Sequence, residues 1–80
     1  MTKQEVLSQI EIIFRKVLNN EEIHLTEQST TNDVKGWDSL THMIIIAQVE
    51  NHFKIRFKFR EIVRMKDIGE LCDAVIEKAA

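Results

Sequence analysis

The sequence predicts an all-α protein: a small four-helix bundle with a long first loop and a short third helix. Three observations carry that prediction. The 80 residues include no proline and only two glycines, so little in the chain interrupts a helix. Apolar residues recur at three- and four-residue intervals in three separate stretches. The one stretch that alternates like a strand, Lys54 to Arg60, has no second such run to pair with, and a lone strand is not stable.

The elements follow in order. Thr2 and Glu5 stand at the spacing of a capping box, in which two end donors are satisfied reciprocally. Val6, Ile10, Ile13, Phe14 and Val17 then make one apolar stripe, and the first helix ends near Asn19, where Asn19-Asn20 favour a turn. Residues 20–36 form a long polar connection with Ile23, Leu25 and Val34 as isolated anchors, and a loop of that length is functional or tied down. The second helix runs from Asp38 or Ser39 to His52. The segment from Lys54 reads as an extended linker whose Ile55 and Phe57 plug the bundle, leading to a short helix around Glu61–Met65. The last helix begins at Asp67, with Glu70 three residues on, and turns Ile68, Leu71, Cys72, Val75 and Ile76 inward. Residues 1–80 read as one domain without repeats or low-complexity tracts.

Composition narrows the classes of function. Hydrophobic content of 44% beside 30% charged residues belongs to a soluble folded domain rather than a disordered one. No apolar stretch is long enough to span a membrane, and Met1 to Glu5 lacks the layout of a signal peptide, so a cytoplasmic protein is expected. Cys72 is alone, which excludes an internal disulfide and a cysteine-clustered zinc site and suits a small buried hydrophobe. His24, His42 and His52 include no pair at the i, i+4 spacing of a helical metal site. Charge is uneven. Residues 1–50 hold four Lys/Arg against eight Asp/Glu, and residues 51–80 hold seven against five. The basic run with Phe57 and Phe59 invites a nucleic-acid reading, but the net charge of −2 and the lack of a binding motif argue against it. A solvated basic edge with both phenylalanines in the core is the expectation.

The octapeptide Gly36 to Met43 presents a serine where a loop gives way to a helix. A helix start offers unpaired N–H groups and the positive end of the macrodipole, so a phosphate carried on Ser39 would be stabilised without a dedicated pocket. Asp38, Ser39 and His42 also have the residue types of a hydrolytic trio, but a hydrolase needs a cleft, an oxyanion hole and an orienting partner, which a thin helical bundle does not offer. On a helical wheel Ile45, Ile46, Val49 and Phe53 fall in one arc, assigned to the core, while Leu40, Met43, Ile44 and Ala47 fall in another. The second arc is either a partly exposed docking stripe or part of a helix buried on most sides. Trp37 anchors the loop or serves as a recognition aromatic.

Asp38-Ser39-Leu40 at the start of the second helix, preceded by Trp37, resembles the attachment motif of the acyl carrier protein family. Val49-Glu50 with Phe53 and Ile55, and Ile68-Gly69-Glu70-Leu71 with Val75-Ile76, are similar to that family's second and last helices, so the likeness spans the chain. The resemblance implies an acyl-carrier-like four-helix fold and a single carrier domain, 1–80, that is not itself an enzyme. It implies a 4′-phosphopantetheine arm placed on Ser39 by a phosphopantetheinyl transferase and acting as a thioester carrier of acyl groups. Asp38, Leu40, Met43, Ile44 and Ala47 become the partner-docking residues. The implied partners are the transferase, an acyl-loading ligase or acyltransferase and downstream synthases, with no nucleic acid and no membrane span, and the carrier is monomeric. An aminoacyl or peptidyl carrier works by the same mechanism, and a helical interaction module without a prosthetic group is the reading from another class. The second helix carries only Glu50 as an acid after Asp38, and the 54–66 segment is basic. Both features depart from the housekeeping fatty-acid carrier, and the run Gly36-Trp37-Asp38-Ser39-Leu40-Thr41-His42 looks more like the stand-alone carriers of specialised pathways.

Overall fold

The computed structural model describes residues 1–79 and is all-helical over them: α1 (Lys3–Val17), α2 (Ser39–Phe53), α3 (Phe59–Arg64) and α4 (Ile68–Ala79). The capping box at the start of α1 forms as its spacing predicts, with the Glu5 N–H donating to Thr2 Oγ1 and the Thr2 N–H to Glu5 Oε1. The helix closes at Leu18, and Asn19 takes a left-handed φ of 51° that turns the chain away. α1 packs against both α2 and α4. The core gathers Val6, Ile10, Ile13 and Phe14 of α1, Ile45, Ile46 and Val49 of α2, and Ile68, Leu71, Cys72 and Val75 of α4. Each such side chain contributes about 1.5–3 kcal/mol when fully buried, which is what holds helices too short to persist alone.

The long connection before α2 is pinned rather than loose. Ile23, Leu25, Val34 and Trp37 all sink into the core. Polar residues of α1 hold its backbone: Arg15 Nε–H donates to the Ile23 carbonyl at 2.8 Å, and Glu11 Oε2 accepts from the Leu25 N–H at 2.8 Å. Midway along, at Glu27 and Ser29, the loop caps α4. The Ile68 N–H donates to the Ser29 carbonyl, the Gly69 N–H to the Glu27 carbonyl, and the Glu70 N–H to Asp67 Oδ1, so three donors of the first turn are satisfied. Gly69 is required by this approach, because a Cβ there would lie 2.9 Å from the Glu27 carbonyl oxygen.

Two expectations need correction. Phe57 packs half-buried against the core, but Phe59 is 69% exposed, so the phenylalanines do not both face inward. The third helix also starts two residues earlier than its apolar pattern suggests. Glu61 Oε1 accepts from the Lys58 N–H at 2.7 Å, which closes the turn at Lys58 and makes Phe59 the first helical residue. Once Phe59 lies on a helix whose Ile62 is buried, the Phe59 side chain falls to one side of the contact with the core.

Candidate functional site

Ser39 is the first residue of α2, and its side chain is exposed. Two features of the preceding loop produce that setting. Gly36 adopts φ +90°, a conformation that L side chains rarely adopt, and this lets the chain turn so that Trp37 points inward while Ser39 points out. Trp37 is only 4% exposed and meets Phe14 edge-on, ring centroids 4.9 Å apart, so it is the anchor of the loop rather than a recognition aromatic.

Asp38 caps the helix. Its Oδ1 accepts from the N–H of Leu40 at 3.0 Å and of Thr41 at 2.9 Å. Thr41 answers reciprocally, its Oγ1 accepting from the Asp38 N–H at 2.8 Å and its hydroxyl donating to the Gly36 carbonyl at 2.7 Å. Thr41 was not singled out from sequence, because the usual box pairs a capping Ser or Thr with Glu or Gln three residues on, and Asp38 with Thr41 reverses those residue types. The Thr41 N–H above all, helped by the Thr41 hydroxyl and the Leu40 N–H, holds the Asp38 carboxyl below the usual carboxylate range. This narrows the expectation of free N–H groups beside Ser39. Two of the donors at this helix end are taken by Asp38, whose charge also occupies the positive end of the dipole.

His42 lies one turn beyond Ser39, yet neither ring nitrogen faces the serine. The Trp37 Nε1–H donates to His42 Nδ1 at 3.1 Å, and His42 Nε2 lies 3.3 Å from the Ile62 carbonyl. With Nδ1 accepting, Nε2 carries the proton and donates to Ile62. His42 thus ties α2 to α3, and the combination of a serine with a free general base does not occur here. Among the described residues no group of three His, Cys, Asp or Glu is placed to hold a metal ion.

The wheel arcs of α2 separate as drawn. Ile45, Ile46 and Val49 are buried and Phe53 is half-buried, while Leu40 is 72%, Met43 42% and Ile44 45% exposed, with Ala47 exposed beyond them. The alternative of a helix buried on most sides is excluded. Leu40, Met43, Ile44 and Ala47 form an apolar stripe running along α2 from Ser39. Sequence reasoning missed that α3 extends this surface. Phe59 and Val63, spaced i, i+4, are both exposed, and with Met43, His42, Trp37 and Ile62 they line a cavity of about 380 Å³ that opens beside Ser39.

Residues 8–75 match the protein family described as the phosphopantetheine attachment site, a span that includes Ser39. The fold superposes on the solution structure of a holo acyl carrier protein from Geobacter metallireducens, with a TM-score of 0.84 and 40% identity over 91% of this chain and 84% of that one. It also superposes on an acyl carrier protein from Thermotoga maritima, with a TM-score of 0.85 over 95% of this chain and 88% of that one, where 21% identity speaks to the fold alone. No curated protein sequence matches the chain significantly.

Proposed function

The chain belongs to the acyl carrier protein family, whose members bear 4′-phosphopantetheine and are not themselves enzymes, and we propose that Ser39 is where this chain bears it. The observation that carries the assignment is the state of Ser39: exposed, first in α2, with its hydroxyl unengaged by the described residues and the adjacent N–H donors already capped by Asp38. Such a hydroxyl is accessible to a modifying enzyme, and what it carries has freedom to move. When attached, the arm supplies a terminal thiol that holds an acyl group as a thioester.

The protein's own residues orient and present. Asp38 and Thr41 hold the helix start so that Ser39 keeps one outward direction. Trp37 and His42 brace the loop and α3 on either side of it. Leu40, Met43, Ile44 and Ala47 offer apolar area next to the attachment point for the enzymes that load and use the arm. Those enzymes are a phosphopantetheinyl transferase, an acyl-loading ligase or acyltransferase, and downstream synthases, met in the cytoplasm by a monomeric carrier. The basic 54–66 segment supports a specialised rather than a housekeeping pathway. No described helix is long and apolar enough to cross a membrane.

Co-expression with a phosphopantetheinyl transferase followed by intact-mass measurement tests the assignment. The expected result is an increment of one phosphopantetheinyl group in the native sequence and none in Ser39→Ala. An increment that persists in Ser39→Ala, or none with several transferases of different specificity, overturns it.

A further inference from the structure

From charge and exposure around Ser39 we infer that the enzymes using this carrier dock on it with an acidic face: an apolar contact rimmed by Asp and Glu. That a partner approaches here at all rests on the carrier reading above. The polarity of its surface rests on three separate observations.

Charge is segregated along the chain. From Asp38 to Lys66 there are six Lys/Arg against three Asp/Glu, a net of +3, whereas the remainder holds five against ten, a net of −5. Of the three acids of the positive segment, Glu50 and Glu61 are half-buried and engaged within the fold, while Asp38 is exposed at the serine end of the surface and engaged as a helix cap. Asp38 caps α2, Glu50 Oε2 accepts from the Phe57 N–H at 2.8 Å, and Glu61 accepts from the Lys58 N–H and pairs with Lys78 Nζ at 2.9 Å. The cations are not engaged in this way. Lys54, Arg56, Lys58, Arg60, Arg64 and Lys66 are all exposed, and none forms an ion pair among the described residues.

Placement brings those cations to the rim of the apolar surface. Ala47, at the far end of the stripe on α2, shares a recess with Lys54 and Arg56. On α3, Phe59 and Val63 line the cavity at Ser39, and Arg60 and Arg64 follow each by one residue, about 100° further round and away from buried Ile62. Exposed Leu40, Met43, Ile44, Phe59 and Val63 therefore make an apolar centre with a cationic border. An apolar centre with a charged rim is the anatomy of a protein interface, and opposite charge on the partner raises the encounter rate and fixes orientation. Single-stranded nucleic acid needs successive aromatic platforms, and among the described phenylalanines and the tryptophan only Phe59 is exposed. A bilayer meets a continuous amphipathic face, whereas this surface is spread over two helices and hollowed between them.

The test is a titration of the 15N-labelled carrier bearing its arm, or of the unmodified chain if no arm attaches. The probes are a helical peptide of Leu at i, i+4 positions with Glu elsewhere, the same peptide with Lys for Glu, phosphatidylglycerol vesicles, and a single-stranded oligonucleotide. The Glu peptide is expected to bind about tenfold more tightly than the Lys peptide at low salt, to shift the amides of Leu40, Met43, Ile44, Phe59 and Val63, and to weaken as salt rises. The double variant Arg60→Glu with Arg64→Glu should reverse that preference at an unchanged melting temperature, because both positions are exposed. Equal or tighter binding of the Lys peptide, shifts confined to other surfaces, or tighter binding of the vesicles or oligonucleotide overturns the inference. Mass spectrometry reports separately whether Ser39 is modified, so loss of the carrier reading and loss of this one give different results.

Discussion

The indole Nε1–H of Trp37 donates to Nδ1 of His42 at 3.1 Å, joining the residue two before Ser39 to the residue three after it. The same imidazole reaches the Ile62 carbonyl with its other nitrogen, so one side chain fastens the loop, α2 and α3 around Ser39. Trp37→Phe keeps the edge contact with Phe14 but leaves Nδ1 without its donor. A loss of about 1–2 kcal/mol is expected in urea denaturation. In a double-mutant cycle with His42→Leu the two changes should couple by about 0.5–1.5 kcal/mol, and strict additivity would show that the hydrogen bond contributes nothing.

Gly69→Ala should destabilise the protein even though alanine is the better helix former by about 1 kcal/mol. The added Cβ would lie 2.9 Å from the Glu27 carbonyl oxygen, and that oxygen accepts the Gly69 N–H at 2.8 Å. A net loss of about 1–3 kcal/mol is expected, with faster hydrogen exchange at the amides of Ile68 and Gly69. A denaturation midpoint equal to or above that of the native sequence would show that the loop yields without cost.

Neighbouring isoleucines on α2 should part in their behaviour. Ile44 is 45% exposed, so Ile44→Glu should change stability by no more than about 0.5 kcal/mol while slowing acyl loading about tenfold or more. Ile45 is fully buried, and Ile45→Ala should cost about 2–5 kcal/mol. Thermal melts and loading rates measured together check the pair. A strong loss of stability in Ile44→Glu, or loading at the native rate, would remove Ile44 from the docking surface.

Cys72 should stay silent toward thiol reagents in the folded protein. It is fully buried, and removal from water pushes its thiol up to about 11, so little thiolate exists at pH 8. Native unmodified protein should therefore show no fast-reacting thiol, and the arm-bearing form should show one. Unfolding in guanidinium should release one more in each case. Rapid labelling of Cys72 in the native unmodified chain would contradict its burial.

Much of this architecture is legible in local pattern. The stripe of α1, the capping box at Thr2, the anchors Ile23, Leu25 and Val34, and the inward set of α4 all follow from spacing, because helical periodicity and capping act over three or four residues. Ser39 at a helix start, with apolar Leu40, Met43 and Ile44 beyond it, was visible in the same way.

What the sequence by itself determined is which stretches form helices, which of their faces are apolar, and which serine stands at the start of α2. Only the tertiary structure decided which apolar face meets the core, since α1 and α4 cover one side of the domain and leave Leu40, Met43, Ile44, Phe59 and Val63 outside. It also decided the partners of the polar groups. His42 bonds to a carbonyl 20 residues away, the Gly69 N–H finds Glu27 across the domain, and the acids at Glu50 and Glu61 are taken up internally while the six cations between Lys54 and Lys66 remain exposed. The reason is physical: a hydrogen bond or a buried face forms where packing brings groups within about 3–4 Å, and separation along the chain does not encode that distance.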